Sequence, residues 1–417
     1  GSWAPAIRYH DGLFYVYFCT PDEGLYMSTA EHPAGPWAPL HEVKRIAKWE
    51  DPCPFWDDDG RAYLGHSTVG AGPIIIHRMS PDGKELLDEG RIVYVGKTAE
   101  GTKIYKRNGF YYLVIPEGGV ERGWQTTLRS KDIYGPYERR VVLKKGRTEL
   151  NGPHQGGLVE LESGESWFLH FQSAGALGRV CHLQPVTWVD DWPVMGCAGE
   201  PVSIYRKPTV ETSLEPLSLV TDDNFEKPEL GLQWQWNHNP VDTHWSLTER
   251  PGYLRLRAMP APDIARARNT LTQKLIGGRG VVTAEFDLAH MTEGQLAGLT
   301  FLGGAVSANY IAIRKNASGA FLEAVTTDVV SHGPNLDGHT IWLRAEYDFT
   351  GPTYLFFSFD GTHFWPLGGE CELRFGYWKG ARVGLFAFQT SGKSGIIDLG
   401  SFRYVHDGPP YRGGDSR

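Results

Sequence analysis

The strongest constraint in this 417-residue chain is a repeat. Four times in its first half a polar tip ending in glycine, at Gly12, Gly60, Gly109 and Gly164, is followed by an aromatic-rich strand such as Leu13-Phe14-Tyr15-Val16-Tyr17-Phe18 or Phe110-Tyr111-Tyr112-Leu113-Val114-Ile115. The glycines are 48, 49 and 55 residues apart, close to the length of one four-stranded blade, which makes a β-propeller the economical reading. A second self-similarity supports it. Gly24 to Ala30 runs into Gly35-Pro36-Trp37, and Thr126 to Ser130 runs into Gly135-Pro136-Tyr137, the same strand, link and turn at a later point of each blade. The innermost strand of a blade lines a central channel. Acids ahead of two adjacent repeats, in Trp49-Glu50-Asp51-Pro52-Cys53-Pro54-Phe55 and Thr98-Ala99-Glu100-Gly101-Thr102-Lys103, can therefore point at one pocket.

The chain is too long for one ordinary core, so two domains are expected. Its 14 Trp, 19 Tyr, 19 Phe, 51 Gly and 27 Pro suit short strands joined by turns rather than helices. The repeats fade between Gly196 and Pro208, and from Asp223 the texture changes to apolar and polar residues in alternation, as in Val281 to Leu288 and Tyr354 to Phe359. Asp337-Gly338 and Asp360-Gly361 are tight-turn pairs between such runs. The expected fold is all-β: a propeller over residues 1–205, a linker over 206–220, a β-sandwich of jelly-roll type over 221–406 and a mobile tail over 407–417.

A net charge of -8 and a pI near 6.0 argue against nucleic acid or an anionic membrane as partner and favour a neutral substrate. No apolar run reaches the ~18 residues of a membrane span. The five cysteines, Cys19, Cys53, Cys181, Cys197 and Cys371, are odd in number and lack metal-ligand spacing. They fit reduced thiols in a cytoplasm. No signal peptide is visible, but the sequence opens at Gly1-Ser2-Trp3 inside what reads as a strand, so secretion stays open if an N-terminal segment is missing.

Glycoside hydrolysis needs two carboxyl groups across the scissile bond, and acids from different blades of one channel can supply that spacing. The residues themselves carry a resemblance. Asp51-Pro52-Cys53-Pro54-Phe55-Trp56-Asp57-Asp58-Asp59-Gly60, then Glu100-Gly101, then Asn151-Gly152-Pro153-His154-Gln155-Gly156-Gly157 together resemble glycoside hydrolase family 43. That family groups β-xylosidases and α-L-arabinofuranosidases on a five-bladed propeller. The likeness runs from Trp3 to about Val202, and the following sandwich resembles the accessory domain of the β-xylosidase-like branches.

The resemblance implies an inverting exo-glycosidase that takes terminal β-D-xylosyl or α-L-arabinofuranosyl units from oligosaccharides. It places Glu100 as general acid, with a raised pKa expected, and Asp51 as the carboxylate that tunes it. Trp124, Gln125 and Gln155 become a substrate wall, with interblade packing as the other reading for Trp124. His154 falls where the family has a histidine beside a hydrated calcium, its alternative being a satisfied buried histidine; one imidazole among waters would be a weak calcium site.

The family's general base lies in a first blade upstream of the residues seen here. The expectation is an N-terminally incomplete first blade and no base in this chain. The missing segment or a second copy of the chain would then complete the ring, since open sheet edges invite association. A base-less chain also leaves a catalytically incomplete, carbohydrate-binding relic as the alternative. Two further departures are Thr102 where the family usually has proline and Glu117 where a small residue is usual. Glu117 is expected either to perturb the site or to face solvent, and the run Asp57-Asp58-Asp59 to be a solvated hairpin tip.

Overall fold

The computed structural model describes residues 1–210, 219–303, 307–376 and 378–408. They fall into two compact units, Gly1–Ser173 with Val180–Thr212, and Ala174–Arg179 with Ser213–Arg417. Most of the expected linker and nearly all of the expected tail lie outside the described residues.

The first unit is propeller-like, with four antiparallel four-stranded sheets among the described residues. They are β1 (Trp3–His10), β2 (Leu13–Thr20), β3 (Gly24–Ala30) and β4 (His41–Arg45); β5 (Trp49–Trp56), β6 (Ala62–Thr68), β7 (Ile74–Met79) and β8 (Arg91–Tyr94); β9 (Lys103–Arg107), β10 (Phe110–Glu117), β11 (Trp124–Ser130) and β12 (Glu138–Lys144); and β13 (His154–Glu160), β14 (Ser166–Ser173), β15 (Arg179–Val189) and β16 (Trp192–Met195). Each repeat glycine closes the hairpin between the first two strands of its blade, with φ of 81°, 80°, 70° and 81°, a left-handed conformation open to glycine at no steric cost. This is the physical origin of the repeat.

Alternation along each strand sends one row of side chains to each neighbouring blade. Tyr15, Tyr17 and Cys19 pack with Ala62, Leu64 and Met79 between the first two blades. Ile74 and Ile76 pack with Leu113 and Ile115 between the second and third, and Val114 and Leu143 with Phe168 and Val186 between the third and fourth. The outer faces of the first and fourth blades differ. Ile7 and Tyr9 are 48% and 63% exposed, and Val159, Leu169, Leu183 and Val189 are 41–48% exposed.

The second unit is a β-sandwich. One sheet includes Thr270–Lys274, Arg382–Gln389, Gln295–Gly303, Ser307–Asn316, Gly319–Thr326 and Val329–Leu336 side by side; the other includes Leu254–Arg257, Ile396–His406, Arg279–Asp287, Thr340–Asp348 and Tyr354–Ser358. Leu299, Ile311 and Leu385 of the first sheet share one core with Phe286, Leu343 and Leu399 of the second. Among the described residues no helix is long and apolar enough to cross a membrane.

Candidate active site

Three of the four innermost strands begin with a break in register against their neighbour: between Trp3 and Ala6, between Glu50 and Cys53, and between His154 and Gly157. Such bulges re-aim side chains. Asp51 and Gln155 sit within them at φ of 55° and 49°. Asp51 Oδ2 accepts hydrogen bonds from Gly101 N at 2.8 Å and from Gln155 Nε2 at 2.9 Å. One carboxylate oxygen thus joins the second, third and fourth blades.

Gly101 could be no other residue without distortion. Its φ is 61°, and an added Cβ would lie 2.7 Å from Pro116 Cδ and 3.1 Å from Gln155 Cδ. The preceding Glu100 is thereby held over Asp51. Its backbone N donates to Pro116 O at 3.3 Å, and its Oε1 lies 3.1 Å from His154 Nε2. The Glu100 side chain is part-exposed while Glu50 and Asp51 are buried. Carboxyl oxygens of Glu50, Asp51 and Glu100 lie within 4.8 Å of one another.

Burial with little compensation explains the electrostatics. Glu50 is pushed up to about 7, first by burial and then by the Asp51 charge, against a hydrogen bond from Ala71 N. Asp51 is also raised by burial, with Lys103 opposing and Glu100 adding to the shift. Lys103 is itself buried, which lowers its pKa, and its Nζ donates to Gly101 O at 3.3 Å. Neither Glu50 nor Lys103 was expected as a site residue, although both stand in the quoted motifs. Adjacency to Asp51 was the available signal for Glu50.

The expected wall residues take different places. Trp124 is half-buried, its Nε1 3.1 Å from Thr126 Oγ1. Gln125 is fully buried and donates to Pro153 O at 2.9 Å and Gln155 O at 3.1 Å, so it works by holding the segment that carries His154 and Gln155. Gln155 in turn spends its amide on Asp51. The solvent-facing alternative for Glu117 is wrong: it is 1% exposed and bonded to Tyr94, Thr126 and Arg139. The run at 57–59 is not simply a solvated tip either. Asp57 is buried and receives Lys106 Nζ and Tyr111 Oη of the next blade.

His154 is 1% exposed, and its Nδ1 is buried without a hydrogen bond among the described residues. A buried ring nitrogen lacking a partner fits one contact to a metal or to its water. Calcium would need its remaining ligands as oxygens. Among the described residues, the one group of three or more His, Cys, Asp or Glu side chains close enough to hold an ion is Glu50, Asp51 and Glu100. A cavity of about 400 Å³ lies at the opposite ends of the same inner strands, lined by His10, Trp56, Arg107 and Glu160 among others, and contains none of these acids. The three acids sit at the strand starts.

Three carboxyl groups and a histidine thus converge at the strand starts of the propeller-like unit. The chain belongs to glycosyl hydrolases family 43: residues 1–193 match that family, and residues 222–405 match the β-xylosidase C-terminal concanavalin A-like domain. It is 54% identical over 392 residues to a putative β-xylosidase of Xylanibacter ruminicola, covering 92% of this chain and 73% of the relative. It is 33% identical over 279 residues to a non-reducing end α-L-arabinofuranosidase of Bacteroides ovatus, covering 62% of this chain and 52% of that protein. Among solved structures, a xylan β-1,4-xylosidase of Bacillus halodurans superposes with a TM-score of 0.84 at 25% identity, covering 97% of this chain and 86% of that one.

Proposed function

We propose that this glycoside hydrolase is an inverting exo-glycosidase that removes terminal β-D-xylosyl or α-L-arabinofuranosyl units from xylo- and arabino-oligosaccharides. The observation that carries the reading is the coupling of Glu100 to Asp51 through Gly101, with His154 at the Glu100 carboxyl. Glu100 is the acid a substrate oxygen can reach, and acts as general acid. Asp51, buried beneath it, fixes its loop and bears on it by charge. Trp124 forms part of the wall, and Gln125 and Gln155 hold the constellation in place. The names of the relatives cover both sugars, and both stay within the proposal.

An inverting pair needs carboxyl groups roughly 6.5 to 9.5 Å apart so that water can enter. Oxygens of Glu50 and Asp51 lie within 4.8 Å of Glu100, too close for that task. The base therefore comes from elsewhere in this reading, on a fifth blade covering the apolar faces marked by Ile7 and Tyr9 and by Leu169 and Leu183. Exposed apolar faces of this kind favour a cover over open solvent. The cover is a further segment of the protein or a second copy of the chain. Calcium, when bound near His154, would supply positive charge beneath the sugar. The domain limits at 1–205 and 221–406 and a cytoplasmic location belong to the same proposal, the latter supported by exposed thiols at Cys181 and Cys197.

The test is hydrolysis of xylo- and arabino-oligosaccharides by the protein as its gene encodes it and by Glu100→Gln, with the anomer of the first-formed sugar read by NMR. Loss of turnover on natural oligosaccharides in the variant and an inverted first product are expected. A retained anomer, or full activity in Glu100→Gln, refutes the reading. Sugar binding without turnover in the unmodified protein would identify a binding relic instead.

A further inference from the structure

Glu117 is a buried carboxylate that the reaction as proposed does not use. Burial works to raise its pKa, but hydrogen bonds from Thr126, Arg139 and Tyr94 outweigh it and hold the group below the usual carboxylate range. Tyr94 Oη donates to Glu117 Oε1 at 2.9 Å. Arg139 donates to Oε2 through both Nη2 and Nε, and Nε also reaches Tyr94 Oη at 2.9 Å. Trp124 Nε1 lies 3.4 Å from Oε2. The carboxylate therefore ties together β8, β11 and β12.

Its backbone neighbours grip the segment that carries Glu100. Gly118 N donates to Lys97 O at 2.8 Å, and Pro116 O accepts from Glu100 N at 3.3 Å. At Gly96 the fit is close enough that an added Cβ would lie 2.2 Å from Glu117 Oε1. The stretch from Tyr94 to Gly101 is thus pinned at its start by the Glu117 carboxylate, in its middle by Gly118, and at its end by Pro116 and Asp51.

We propose that Glu117, with its partner Arg139, is a positioning residue for Glu100: it sets the start of the acid's loop and thereby the placement of the acid's carboxyl. The inference rests on Glu100 being the general acid. A general acid supplies roughly 10²–10⁴-fold in rate, and a misplaced one forfeits part of that. The loss falls on leaving groups that need a proton and spares those that do not.

The experiment compares kcat on xylobiose with kcat on dinitrophenyl β-D-xyloside for the full protein, Glu117→Gln, Glu117→Ala and Glu100→Ala. Expected for both Glu117 variants is a fall of about 10-fold or more on xylobiose, with less than about 2-fold change on the dinitrophenyl substrate and little change in KM. Equal falls on both substrates, or no fall, overturn the inference. If Glu100→Ala itself shows no such leaving-group dependence, the acid assignment fails, and that failure is separately visible. Amide exchange gives a readout independent of turnover. Faster exchange at the Gly118 and Glu100 amides in Glu117→Gln supports positioning, and unchanged exchange there refutes it, while the isosteric change keeps the fold.

Discussion

Replacing Glu50 by glutamine should make this protein more stable at alkaline pH and alter little at acid pH. The side chain is 5% exposed, and its carboxyl accepts a hydrogen bond from Ala71 N, which a glutamine oxygen can equally accept. Its pKa rises from 4.5 to about 7 on folding, chiefly through burial and then through Asp51. A raised pKa means that the folded state holds this proton more tightly than the unfolded chain. The stability it contributes is full below 4.5 and is lost as pH climbs through about 7. At about 1.4 kcal/mol per pH unit, the gap corresponds to roughly 3 kcal/mol once pH exceeds 7. The assay is urea unfolding of the unmodified protein and of Glu50→Gln at about pH 5 and pH 8, following the transition of the propeller. The variant should gain about 2–3 kcal/mol relative to the unmodified protein between the two conditions. A difference that does not change with pH would show that Glu50 titrates normally, and the account of burial at the three-acid cluster would fall with it.

Gly101→Ala should lose activity out of proportion to stability. The left-handed backbone adds roughly 1–2 kcal/mol and contact with Pro116 about 1–3 kcal/mol, both within the turn that carries Glu100. Urea midpoints set against kcat would check this, and unimpaired turnover would contradict it. If calcium acts near His154, chelation should lower kcat, added calcium should restore it, and His154→Ala should remove the dependence. Calcium-independent turnover in exhaustively chelated protein would count against the metal.

The blades were legible because their signal is local. A left-handed glycine followed by a strand of alternating aromatics is set by the conformation of a few adjacent residues, and it recurs in the first hairpin of each of the four blades described. The acid motif was legible through the resemblance carried jointly by its three stretches; Gly101 is required by its φ and by the approach of Pro116, whereas nothing local marks Glu100.

What remained hidden depends on partners distant in sequence. Asp57 looked like one of three solvated acids because Lys106 and Tyr111, which bury it, lie on the next blade. Glu117 looked like a stray charge because Arg139 and Tyr94 meet it from two other strands. That Gln125 Nε2 holds the backbone of residues 153 and 155 was equally hidden, because nothing local shows it. The bulges at Asp51 and Gln155 were equally silent, since a shift of register is a property of two strands together.

The three-acid cluster has a cause of its own. A propeller gathers its strand starts at an axis, so acids placed there lose water and repel one another. The protein answers with few cations. Lys103 is the buried one beside Asp51, and most of the remaining compensation is backbone N–H and amide hydrogen bonding, from Gly101, Ala71 and Gln155. Full neutralisation by arginine, as Glu117 receives, would hold a carboxyl ionised and useless as a proton donor. The contrast between Glu117, lowered, and Glu50, raised, within one fold therefore follows from what each buried carboxyl is paired with: Thr126, Arg139 and Tyr94 around Glu117, and a neighbouring carboxylate with one backbone N–H at Glu50.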